Sequence, residues 1–152
     1  MLCSAVPASA GWVFEKQKDL GQDANKMQWY LGDYGTTSEG IPFATVRKYY
    51  TGEKQKEETI NLLMSKYAIA PDVAGGLYFT EYEYEYTKDG KQFTVTYLRH
   101  YNMLGQEIHG TVYNNATEAT KRVFHVVDPK SIAGKVKDSA IPPAKAPAKK
   151  KA

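Results

Sequence analysis

The spacing of apolar positions changes along the chain, and each change marks an element. "FATVRKYY", Phe43 to Tyr50, is rich in β-branched and aromatic side chains and reads as a strand. Trp12 to Lys16 and Met27 to Leu31 read as two shorter strands around a polar turn region, and "GDYGTTSEG" as the loop that leads into Phe43. From Glu53 to Tyr67 the spacing becomes helical: Ile60, Leu63, Met64 and Tyr67 recur at three and four residues on a segment whose first turns are charged. That stripe is too narrow and interrupted for an interfacial helix, so it predicts a core contact. Thr51 is the candidate cap for this helix, and "APDVAGG" is the loop that returns the chain to the sheet.

"YFTEYEYEYTKDGKQFTVTYLRHY", residues 78 to 101, holds six of the twelve tyrosines. Asp89-Gly90 is a preferred centre for a two-residue hairpin turn, because both positions of a type I′ turn need positive φ. That turn places Tyr86 opposite Phe93, Tyr84 opposite Val95, Tyr82 opposite Tyr97 and Tyr78 opposite Tyr101. All the large aromatics then share one face. The other face receives Glu85 against Thr94, Glu83 against Thr96 and Glu81 against Leu98, as on the wet side of a half-buried sheet. A second turn, around Leu104-Gly105, sets Tyr101 opposite Ile108 and Tyr97 opposite Val112, again on the aromatic side. Residues 77 to 113 are therefore expected to form a three-stranded meander whose tyrosines fill a core beneath the helix stripe. An exposed tyrosine platform for sugars or peptides is the competing expectation. "RVFHVVDPKSIAGKVKDS" predicts a strand through Val127, a turn at Asp128-Pro129 and a short helix capped by Ser131 and weakened by Gly134. The expected fold class is α+β: an antiparallel sheet of about six strands with one packed helix and a short carboxy-terminal helix.

With 152 residues, 42% hydrophobic and 24% charged, the chain suits one compact domain, expected over residues 11 to 140, with short extensions. The net charge of +3 belongs to the Ala/Pro/Lys tail, residues 141 to 152, whose four lysines leave residues 1 to 140 slightly acidic. That tail is expected to be disordered, either a solubilising terminus or a contact for anionic envelope polymer. Residues 1 to 10, "MLCSAVPASA", end in Ala-Ser-Ala and read as the remnant of a secretory signal, which predicts an exported protein of the periplasm or cell surface. Cys3 is the only cysteine, and cleavage after Ala10 would remove it, so no internal disulfide is expected. No run of about 18 apolar residues suggests a spanning helix.

The order of motifs carries a resemblance. A Trp after the signal site, "MQWYLGDY", "FATVRKYY" running into a charged helix, the "YFTEYEYEYTKDGKQFTV" hairpin, "HYNMLGQEI" and "FHVVDPKSIAGKV" together resemble the bacterial surface-adhesin E (protein E-like) family over roughly residues 12 to 140. The resemblance implies an antiparallel sheet with a packed helix, envelope placement, and non-enzymatic binding to other proteins, among them host proteins. Many members of the family carry two cysteines, and the matching positions here are Lys88 and Ile141, so that pair is missing.

Chemistry has few candidates. The second turn sets His100 opposite His109 on the wet face with Glu81 one diagonal step away, a set that can hold a divalent metal; this is the basis of the alternative reading, a periplasmic small-ligand or metal-binding protein. There is no phosphate-binding glycine loop, no HExxH and no G-x-S-x-G, so neither an enzyme nor a cofactor is expected. Nucleic-acid binding would rest on the tail alone and is not expected. The expected partner is a host extracellular or envelope protein, with a homodimer through an exposed strand edge as a further possibility. The candidate contact residues are Tyr34 and Glu39 in the "DYGTTSEG" loop and the acidic row Glu81, Glu83 and Glu85.

Overall fold

The computed structural model describes residues 17–114, 117 and 121–140. Its elements in chain order are strands β1 (Lys18–Gln22), β2 (Gln28–Thr36) and β3 (Pro42–Tyr49), helices α1 (Glu53–Tyr67) and α2 (Pro71–Ala74), strands β4 (Phe79–Tyr86), β5 (Gln92–Tyr101), β6 (Glu107–Val112) and β7 (Phe124–Val126), and helix α3 (Ile132–Ala140). Strands β1 to β6 lie side by side in sequence order, each antiparallel to the next, and β7 pairs with the start of β5. The sheet curls into a half-barrel, with one main helix and a short carboxy-terminal helix, so the expected α+β architecture is observed.

The expected strand at Trp12–Lys16, the signal remnant and the tail fall outside the described residues. Strand β1 lies in the stretch read as a polar turn, and β2 continues through Tyr34 to Thr36, a stretch read as loop. A shift of register between Leu31 and Tyr34 explains the second difference. The extra residue of a bulge breaks the alternation that a periodicity reading needs.

The β4–β5 hairpin keeps the expected register near its turn but by a different route. Gly90 donates its N–H to Thr87 O at 2.8 Å, Thr87 and Gln92 close the loop, and Gly90 alone takes positive φ, at 74°. The connection is therefore four residues long rather than a type I′ pair. The Asp89 carboxylate accepts from the Thr87 hydroxyl and from the Lys91 N–H, which holds Asp89 in ordinary backbone geometry. Lys88 lies in this turn.

Beyond the turn one residue changes the outcome. Tyr86, Glu85 and Tyr84 face Phe93, Thr94 and Val95 as expected, but a bulge follows, and Glu83 then faces Tyr97, Tyr82 faces Leu98, and Phe79 faces Tyr101. Thr96 is the extra residue, and every side chain of β5 after it changes sides relative to the simple hairpin. The expectation that all large aromatics share one face is overturned. Tyr82, Tyr84, Tyr86 and Phe93 stay with α1 and α3, whereas Phe79, Tyr97 and Tyr101 join the far face. A second bulge, between His100 and Tyr101, leaves Tyr97 opposite Val112 and His100 opposite His109 as expected, but sets Tyr101 against Glu107 instead of Ile108.

The helix face holds the larger core. Leu63 is fully buried, and Ile60, Met64 and Tyr67 pack around it against a cluster that includes Trp29, Leu31, Val46, Tyr84 and Tyr86. Thr51 does not cap α1; the cap position is Gly52, with no side-chain bond. The Thr51 hydroxyl is engaged elsewhere: it donates to Lys26 O and accepts from the Gln28 N–H at 3.1 Å, tying the start of α1 to the β1–β2 hairpin. Ser131 does cap α3, accepting from the Gly134 N–H at 3.2 Å. Gly134 is required there rather than a weakness, because a Cβ would lie 2.3 Å from Asp128 O.

Candidate binding site

Glu81, Glu83 and Glu85 share the far face, as the alternation predicted, but each is engaged within the chain. Arg47 donates from Nε to Glu81 at 3.0 Å, and the Tyr97 hydroxyl donates to the other carboxylate oxygen at 2.9 Å; both ends of the ion pair are buried. Burial, and then the Glu81 carboxylate beside it, pushes the Tyr97 phenol well up from its ordinary range. Glu83 accepts from the Thr96 hydroxyl, and Glu85 lies 3.3 Å from Arg122. The row is a set of internal pairs, not a solvated acidic stripe. Tyr34 is 55% exposed and Glu39 is exposed, but the first lies in β2 and the second in the turn before β3.

His100 and His109 do face each other, on the helix side of the sheet and not on a wet face. The Thr96 bulge moves them there and leaves Glu81 on the opposite side, so the three do not converge. His100 is buried, and its Nδ1 lies 2.7 Å from the Thr80 hydroxyl, which in turn lies 2.8 Å from the Tyr50 hydroxyl. Burial, then the Lys48 ammonium and His109, lower its pKa to about 4. His109 stacks on Tyr67 at 4.0 Å. Among the described residues no three His, Cys, Asp or Glu side chains gather as a metal site.

The surface that sequence reasoning missed surrounds β7. Two cavities, about 260 and 430 Å³, open on the helix side of β5 and share Val95 and His125. The first is lined further by Leu98, Tyr113 and Val123, and the second by Tyr82, Tyr84 and Phe93 beside the start of α3. On the far side, Phe124 and Val126 follow Thr94 and Gln92 in register and stand 50% and 76% exposed. Val112, at the end of β6 on the same face, is exposed as well, and so is Val123 beside the first cavity on the helix side. The signal was present in "RVFHVV", which is apolar toward both faces and too short to bury either. Only its position at the border of the sheet, set by β5, turns that composition into an exposed flank.

No family model matches the chain, and no curated protein and no solved structure matches it either.

Proposed function

We propose that the protein is an exported, non-enzymatic binding domain that holds a partner protein against the apolar flank of Val112, Phe124 and Val126. The observation that carries this reading is the exposure of those three side chains on the far face, two of them on β7, a strand that pairs only with β5 among the described residues. Apolar side chains beside an unpaired edge are what strand-addition interfaces use. The Ala-Ser-Ala sequence before Gly11 supports export. The likeness to the surface-adhesin E family supports an envelope setting and a host extracellular or envelope protein as partner. His100, strongly displaced in pKa by burial, sits inside the core in a chain with Thr80 and Tyr50, which favours binding over catalysis.

Affinity capture from envelope extracts tests the reading, followed by titration of the purified captured protein. Phe124→Ser combined with Val126→Lys should abolish saturable binding while leaving the circular dichroism spectrum unchanged. Equal binding by the variant and the parent chain would reject the flank. The paired cavities at Val95 and His125 favour a second reading, a carrier of a small apolar ligand. Native mass spectrometry of protein taken from its source would then show a bound mass that His125→Trp removes.

A further inference from the structure

One edge of β7 is committed to β5. Val127 donates its N–H to Lys91 O at 3.0 Å, and Phe93 faces His125 two residues further along. Backbone groups alternate sides along a strand, so the N–H and C=O of Phe124 and Val126 point to the other edge, which no strand among the described residues meets. An edge with apolar side chains and outward backbone groups is a template for another strand.

The segment is complementary to itself. A second β7, laid antiparallel with His125 on a two-fold axis perpendicular to the sheet, sets Phe124 opposite Val126 of the second copy and Val126 opposite its Phe124. Every outward N–H and C=O of these residues then finds a partner, and the apolar side chains meet on the far face. The same register places Arg122, which also lies 3.3 Å from Glu85 of its own chain, opposite Asp128 of the second copy. Parallel pairing would instead set basic residues beside basic ones, an antiparallel register shifted by one residue would leave backbone groups unmatched, and one shifted by two would set Phe124 or Val126 against a position outside the strand. Because the axis is perpendicular to the sheet, the helices of both copies stay on one side. We infer that β7 is a dimerisation strand and that a second copy of this chain occupies its outer edge, joining two half-barrels into one continuous sheet. This inference rests on the reading of the β7 flank as a contact surface and names its occupant.

Sedimentation of the full chain over a concentration series should show a dimer. Val126→Pro removes an N–H that meets no strand among the described residues and should weaken dimerisation by about tenfold or more, whereas Val126→Thr should not. In a Cys3→Ser background, His125→Cys should form an intermolecular disulfide on mild oxidation, because facing residues of a non-hydrogen-bonded pair have Cα atoms about 4.5 Å apart. Thr111→Cys should not. A monomer at every concentration, or a dimer that neither Val126→Pro weakens nor His125→Cys links, overturns the inference. A monomeric parent chain whose Phe124 and Val126 variants still lose a captured partner would reject self-pairing and keep the partner reading. A β7-dependent dimer that captures nothing would do the reverse.

Discussion

The two faces of the sheet bury aromatic rings in different company. On the helix side, Tyr82, Tyr84, Tyr86 and Phe93 run along β4 and β5 among aliphatic side chains. The Tyr86 hydroxyl donates to Ala133 O at 2.7 Å. A cation enters this side, but Lys48 rests its ammonium 5.8, 5.2 and 5.5 Å from the ring centres of Trp29, Tyr50 and Tyr82 and meets Gln55 rather than a carboxylate. On the far side, Phe79 stacks between Tyr49 and Tyr101, and the buried Arg47–Glu81 pair lies directly beside them. One face compensates a charge with ring quadrupoles, the other with an opposite charge. The difference teaches that losing half of a compensated pair, not losing apolar area alone, is the weak point of the far face.

The largest expected effect tests that asymmetry. Arg47→Met leaves the Glu81 carboxylate buried without its guanidinium and should cost about 3–5 kcal/mol in urea unfolding, whereas Arg47→Met with Glu81→Leu should recover most of it. Lys48→Met, the matched change on the helix face, should cost about 1 kcal/mol or less. Equal losses for the two single variants would break the comparison.

A smaller effect separates the faces by pH. His100 is held at about 4 against an ordinary 6.5, so the unfolded chain takes up a proton first as pH falls. Stability is full above about pH 6.5 and drains away toward pH 4, by up to about 3 kcal/mol. His100→Gln should flatten that slope, and Lys48→Met should narrow the window by letting His100 titrate at higher pH. Thermal melts across this range would show whether the helix face carries the pH sensitivity.

The smallest effect concerns what covers the helix face. Ala68 ends α1 at φ 56°, where Ile69 donates its N–H back to Leu63 O at 3.1 Å. A left-handed backbone suits glycine better than alanine, so Ala68→Gly should raise stability by about 0.5–1 kcal/mol. A loss on chemical denaturation would mean that the Ala68 methyl group packs usefully.

Much of the fold was legible because it is local. The helix stripe, the Ser131 cap and the hairpin register near Asp89-Gly90 each depend on residues a few positions apart. Failures begin where one extra residue enters a strand. Nothing in "TVTYLRHY" marks Thr96 as unpaired, since threonine fits either a ladder or a bulge, and the exchange of Tyr97, His100 and Tyr101 between faces followed from that one position. The site was less legible still. The glutamate row looked solvated because Arg47 and Arg122, which engage its two ends, are far away in sequence. The β7 flank could be recognised only after β5 had been divided between two neighbours.

That division makes Thr96 a position where the kind of genetic change matters more than the residue. Replacing its side chain disturbs a hydroxyl contact with Glu83. Deleting it would let β4 and β5 align without interruption and leave Tyr97, Leu98, Arg99 and His100 on the faces they hold now, whereas a residue lost at Leu98 or Arg99 would send those after it to the opposite face. Over evolutionary time Thr96 should therefore be the place within β5 where a residue is lost most readily, while other length variation among relatives should collect in the turns that flank the strand.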